Sequence, residues 1–377
     1  MYSIRQLLKK SSNWASWHTD RKLIVLISDD WGGIRVGSKN SQSNLSDMGI
    51  PMFSNRFDRY DTLENNDDME RLFNVLTSHQ DLKGNHPVIT AACTIGNPDF
   101  EKIKESNFKE YHYELFPETL ARFSNTDRVF SYYQQGIQKG IFTPEFHGRE
   151  HLNVPLWMKA LQEPVAIVKD AFDESFFYLN SKVLPTGYQS GFGASFDCID
   201  TKDKMAYNQI LASGLQNFEA LFGYKSSLMV PPAQAYFEEL DTVLLQNGVT
   251  AIDKPVFLKG NKFLQLLSEK QEYTGKKSKK GLMSVVRNAV FEPNMNEHND
   301  GVAECLNAIA FNFECRVPTV ISNHRSAFVG GIDEANRDKG LKALDTLITQ
   351  ILKKWPDAEF VSARQLQGII NEDVYSH

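Results

Sequence analysis

Long apolar runs are missing from this sequence. No stretch approaches the roughly 18 residues of a membrane helix, and Met1 to Arg21 lacks the apolar core of a secretory leader. These absences predict a cytoplasmic protein without membrane insertion. Cysteine is scarce as well: Cys93, Cys198, Cys305 and Cys315 form no C-x-x-C pair, which excludes a zinc knuckle and a dense disulfide framework. A reducing compartment is the simpler setting. Basic charge is not in excess, since 41 Lys and Arg face 47 Asp and Glu for a net charge of -6, so a broad footprint for nucleic-acid phosphates is excluded. The one basic run, Lys276 to Lys280, stands beside Gly275 and Gly281 and reads as a solvated hairpin tip. Internal repeats and Pro/Ser linkers are also absent, so the chain is not cut into several domains.

What is present is the composition of an ordinary globular protein, 41% hydrophobic and 23% charged. Residues 1–21 mix Ile4, Leu7 and Leu8 with Lys9 and Lys10, the pattern of a short amphipathic helical extension that packs on the main body. From Lys22 onward apolar runs of strand length alternate with helical periodicity. Lys22 to Ser28 reads as a buried parallel strand that stops at Asp29-Asp30-Trp31-Gly32-Gly33. Strands follow at Pro87 to Ile95, Ile141 to Phe146, Ser227 to Val230, Val249 to Ile252, Leu282 to Phe291, Thr319 to Ser322 and Glu359 to Val361. Helices are predicted at Asp61 to His79, Ser131 to Lys139, Lys204 to Phe222, Phe237 to Asn247, Val302 to Phe313 and Glu334 to Lys354. Seven or eight strands separated by helices make an α/β fold, a distorted (β/α) barrel over residues 22–370. Two stretches break the rhythm. The aromatic and Gly-rich segment near 165–200 reads as a loop inserted over one barrel face, and 257–281 as an inserted β-hairpin.

The polar residues that follow the apolar strands carry the chemistry. His147-Gly-Arg-Glu-His151 sets two imidazoles four residues apart, the spacing at which helical neighbours reach one metal ion. Asp29 and Asp30 could be turn caps, but two adjacent carboxylates after a buried strand repel each other unless a cation is present. In an α/β barrel the C-terminal strand ends converge, so this pair can meet His147 and His151 at one mouth. His324 follows another apolar strand and is an acid–base candidate there. Gly32-Gly33 is a tight turn rather than a phosphate cradle, because the wider dinucleotide fingerprint is missing.

In the order of these motifs, from about Lys22 to Leu366, the chain resembles the polysaccharide deacetylase family, also called the NodB-homology domain. The resemblance implies a distorted (β/α) barrel of the glycoside hydrolase and deacetylase type, one divalent metal ion, taken as zinc, and an acetylated carbohydrate as substrate. It makes Asp29 the general base and gives the metal to Asp30, His147 and His151. The family's Arg-Pro-Pro-Tyr motif is met only by Pro231 and Pro232, with Val230 where arginine is usual and Ala233 where an aromatic is. Arg287 is the substitute from a neighbouring strand, with Arg149 and Arg325 as alternatives. Asp253 stands in for the aspartate that orients the catalytic histidine, and His324 is that histidine, the general acid.

Around these, Pro232, Ala233, Trp31 and Tyr188 are candidate substrate-binding residues, the Ala233 N–H as an oxyanion donor and the aromatics as stacking surfaces. Trp157 and Phe192 are further stacking candidates, and core packing is the competing role for each ring. Three other functions compete. His147-Gly-Arg-Glu150-His151 also fits an HxxEH zinc metallopeptidase, with Glu150 as base and a distant Glu219 as third ligand. A catalytically silent carbohydrate-binding barrel would account for the missing arginine at Val230, and a glycoside hydrolase is a further possibility on a related barrel.

Overall fold

The computed structural model describes residues 12–185, 191–198, 200–255, 271–295 and 298–375. Its centre is a parallel sheet. Strands β1 (Lys22–Trp31), β2 (Ile89–Cys93), β5 (Phe142–Phe146), β6 (Leu228–Met229), β7 (Ala251–Asp253), β8 (Met283–Val285), β9 (Ala289–Val290) and β10 (Thr319–His324) lie in the order β8-β7-β6-β5-β2-β1-β10-β9. A ninth, β11 (Ala358–Phe360), pairs with the start of β1, and β3 (Gly96–Pro98) with β4 (Tyr113–Leu115) makes a separate antiparallel pair.

The order of strands forces the sheet to curl. Its two ends, β8 and β9, are joined by only Val286, Arg287 and Asn288, a link that can span little more than about 14 Å. The sheet is therefore rolled nearly shut into a distorted (β/α) barrel, with these three residues crossing the seam. The single strand expected over Leu282 to Phe291 is thus two strands on opposite edges. Its break is local and polar: Asn288 docks on β10 through its N–H to the Val320 carbonyl at 3.0 Å and its side-chain oxygen from the Val320 N–H at 2.9 Å.

Strand β1 is apolar on both faces because both faces are covered. Along β1, Leu23, Val25 and Ile27 join one buried cluster with Leu228, Val230, Val285 and Val320, while Ile24 and Leu26 join another with the surrounding helices. This is the period-two alternation of a strand packed on either side. Helices Asn66–Thr77, Val129–Lys139, Lys204–Phe222, Val302–Glu314 and Glu334–Lys354 match the periodic segments of the sequence, with Phe237 to Asn247 shortened to Asp241–Gln246 after a 3-10 turn.

The 165–200 segment begins as a helix, Ala166–Asp173, and then runs irregularly. Trp157, Phe172, Phe176, Phe177 and Phe192 pack into their own apolar cluster there, and Tyr178, Leu179 and Asn180 reach the barrel mouth. The expected helix at Ile4 to Lys10 and the stacking candidate Tyr188 lie outside the described residues, as do residues 257–270 of the second insertion. The rest of that insertion closes a turn, with the Ser278 N–H donating to the Leu282 carbonyl at 2.8 Å, so Lys279 and Lys280 stand at its exposed tip while Lys276 is half-buried against Glu272. Residues 12–17 pack on the barrel through Asn13 to Asn312 and Trp17 to Asp373. Among the described residues no helix is long and apolar enough to cross a membrane.

Candidate active site

Because the barrel strands are parallel, their C-terminal ends share one side. Asp29 and Asp30 end β1, His147 follows β5, Val230 follows β6, Asp253 ends β7, Arg287 lies in the seam and His324 ends β10. All of them line one cavity of about 470 Å³, a size suited to a small ligand.

Adjacent strand residues point to opposite faces, yet Asp29 and Asp30 both line this cavity. A β-bulge is the reason. Ser28 pairs with Ala91 and Trp31 with Cys93, so the two aspartates stand against Ala92 alone. Asp30 takes the left-handed conformation with φ 76°, which turns its carboxylate toward the histidines.

The histidines themselves are not on a helix, contrary to the expectation from their spacing. His147 to Leu152 is a loop, reversed at Gly148 with φ 97°, where an added Cβ would stand 2.9 Å from the Glu150 carbonyl oxygen. Both imidazoles nevertheless converge: the Asp30 Oδ1 lies 3.3 Å from His147 Nε2 and 3.6 Å from His151 Nε2. The three ligand atoms fall within 4.8 Å of one another. The His147 Nδ1 donates to the Val230 carbonyl at 2.7 Å, which leaves the Nε2 lone pair facing the cavity. Burial, against the pull of Asp30, pushes His151 down to about 4, and the histidines hold Asp30 well below the usual carboxylate range despite its burial. A neutral His151 imidazole and an ionised Asp30 carboxylate are ligand-ready forms.

Asp29 is held differently. Arg287 grips it through two bonds of 2.7 and 2.8 Å and also reaches Asp253 at 3.1 Å and Ser322 at 3.2 Å. Burial would raise the Asp29 pKa, but Arg287, His324 and His147 lower it, so Asp29 is a carboxylate. Of the three arginines weighed from sequence, Arg287 is the one that lines the cavity. Arg149 pairs with Glu150 and stacks on Tyr113, and Arg325 sits in a separate buried network. Contrary to the expectation from sequence, Asp253 does not orient the histidine; it is bonded to Arg287 instead. His324 is oriented instead by Glu292, 2.5 Å from Nδ1, and its Nε2 stands 3.7 Å from Asp29. Burial works to lower the His324 pKa; Glu292, Asp29 and Asp30 outweigh it and raise it above its ordinary value. Arg56 reaches Glu292 at 3.1 Å and Phe57 packs edge-on against the imidazole.

The aromatic candidates are placed elsewhere. Trp31 is buried, bonded to Ser28 and packed on Phe142, and Trp157 and Phe192 are buried in the insertion cluster. None of the three is a stacking surface. Pro232 is buried beneath Gly148, whereas Pro231, Ala233 and Gln234 line the cavity, the last two in the left-handed region. The residues that sequence reasoning missed are Glu292, Arg35 and Tyr178. Glu292 carried a usable signal, a polar residue directly after an apolar strand; Arg35 and Tyr178 lie in irregular segments with none.

No protein-family model and no curated protein sequence matches the chain. Among solved structures it is similar to the peptidoglycan deacetylase PdaC of Bacillus subtilis, with 11% identity and a TM-score of 0.35, covering 94% of each chain. A CE4 family pseudoenzyme of Bacillus anthracis gives 9% identity and a TM-score of 0.37 over 93% of this chain and 66% of that one. The α-amylase AmyC of Thermotoga maritima gives 11% and 0.46 over 92% and 74%. Identities and scores this low leave the chemistry to be read from the site itself.

Proposed function

We propose that the chain is a metal-dependent hydrolase that removes acetyl groups from an N- or O-acetylated carbohydrate. The observation that carries the reading is the division of labour between neighbours: Asp30 faces two imidazole Nε2 atoms, while Asp29 is held ionised by Arg287 and faces His324. The donor set fits a divalent ion, since the His147 tautomer is fixed by the Val230 carbonyl and the three ligand atoms converge. Two nitrogens and one oxygen suit zinc better than magnesium or calcium, which take oxygen ligands. When bound, such an ion supplies Lewis-acid polarisation of an acyl carbonyl and a more acidic water.

The remaining steps belong to the side chains. Asp29, ionised and fixed by Arg287, accepts a proton as water adds to the acyl carbon. His324, protonated on Nε2 and steadied at Nδ1 by Glu292, donates to the leaving nitrogen or oxygen as its bond to the acyl carbon breaks. Acetate and the free sugar amine or hydroxyl result.

The metallopeptidase reading finds no support in this arrangement. Its base, Glu150, is buried against Arg149 and does not line the cavity, and Glu219 is exposed on its helix. The test follows from the difference. One metal ion per chain should be lost in Asp30→Ala and His147→Ala, and Asp29→Asn should abolish acetate release while Glu150→Gln, if folded, keeps it. Full metal content in both ligand variants would overturn the site, and the reverse pattern at Asp29 and Glu150 would favour the peptidase.

A further inference from the structure

The cavity holds one cation that this reaction does not use. Among the described lining residues the permanent cations are Arg287 and Arg35. Arg287 is engaged by Asp29, Asp253 and Ser322. Arg35 is engaged on one side only: Asp58 Oδ1 takes its Nε at 2.8 Å and its Nη2 at 2.7 Å, and Nη1 has no partner among the described residues. Its plane is fixed before any ligand arrives. The guanidinium lies 4.1 Å from the Tyr178 ring and 5.3 Å from that of Phe57, and the Asp58 carboxylate is itself held by the Asn55 side-chain amide. An arginine held this way has already lost its side-chain freedom, which favours binding. A purely structural Arg35, tying the insertion to the 55–60 segment, accounts for the Asp58 pair and the stacking but leaves unexplained an unpartnered Nη1 on a residue that lines the cavity.

Resting on the deacetylase reading for the identity of the ligand as a sugar, we propose that Arg35 is the subsite for a carboxylate carried by that sugar, so that the substrate is an acidic acetylated carbohydrate. The charge of the cavity selects the anion. Asp29, Asp30 and Asp253 already line it, and a single arginine half-neutralised by Asp58 is a weak match for a dianionic phosphate. A planar monoanion fits the remaining N–H edge of a planar guanidinium. Asn180 and Gln234 also line the cavity and can bond sugar hydroxyls.

Calorimetric titration of the metal-loaded full chain with glucuronate, glucose and glucose 6-phosphate tests this. Glucuronate should bind on the order of 10- to 100-fold tighter than glucose, the worth of a charge-assisted hydrogen-bonded pair, and at least as tightly as glucose 6-phosphate. Arg35→Gln should erase that preference, and Arg35→Lys, which keeps the charge opposite Asp58, should retain only part of it. Equal binding of glucuronate and glucose, a preference that survives Arg35→Gln, or tighter binding of the phosphate would overturn the proposal. The readout is independent of acetate release. A chain that binds glucuronate through Arg35 but releases no acetate would refute the hydrolase and keep the subsite; the converse result would do the opposite.

Discussion

Two neighbouring carboxylates have different partners because a single bulge turns Asp30 toward His147 and His151 while Asp29 stays on the strand beside Arg287 and His324. At this scale the clearest prediction concerns Glu292, which touches no reacting atom in the proposed reaction and acts through His324. A histidine acid is active only while protonated, so activity is lost as pH rises through its raised pKa. Removing the Glu292 charge lowers that pKa. Glu292→Gln should retain metal, lower turnover, and move the alkaline limb of the pH profile down by roughly one unit, the effect of one lost charge partner. A profile that does not move would make Glu292 a packing residue. Asp29, Asp30, His147, His151 and His324 were legible because each stands directly after an apolar strand or in a spaced pair. The partner of His324 was not: Glu292 meets it only through the pairing of β9 with β10, which no local spacing announces.

At the scale of elements, close backbone contacts set what the chain tolerates. The helix Glu334–Lys354 lies against the turn after β10 so closely that a Cβ on Gly340 would stand 1.8 Å from the Ala327 carbonyl oxygen. Gly340→Ala should therefore lower stability in urea by at least about 1–3 kcal/mol, the usual cost of overpacking, although alanine is the better helix former. Gly148→Ala acts at the site instead. With φ 97° it strains the loop that carries both histidines, so metal affinity should fall in a chain that still unfolds cooperatively. Unchanged metal affinity would show that the loop adapts. The long strands and helices were legible from apolar runs and periodicity, whereas the split of Leu282 to Phe291 was not, because curling of the whole sheet, not local pattern, puts β8 and β9 on opposite edges. The histidine loop shows the same limit: a spacing of four was read as helical, and a glycine-reversed loop achieves the same convergence.

For the whole molecule, Arg325 links the barrel to its mouth. Fully buried, it donates to Asp61 at 3.1 Å, to Glu64 at 2.7 Å and to the Gly33 carbonyl at 2.6 Å, directly between His324 and the loop after Asp30. Arg325→Met leaves two buried carboxylates without their cation and should cost about 3–5 kcal/mol near pH 7. Asp61 is already raised to about 6 by burial, in spite of Arg325. Its folded form thus holds a proton more tightly than the unfolded chain, and the loss in Arg325→Met should shrink as pH falls from 7 toward 5. A deficit independent of pH would contradict that balance. Whether one metal site at the barrel mouth removes acetyl groups, as proposed, is decided by acetate released from acetylated carbohydrates by the full chain before chelation, after it, and after zinc is restored. Release should stop on chelation and return with zinc; release that persists without metal, or none in any of the three states, would rule out a metal-dependent hydrolase.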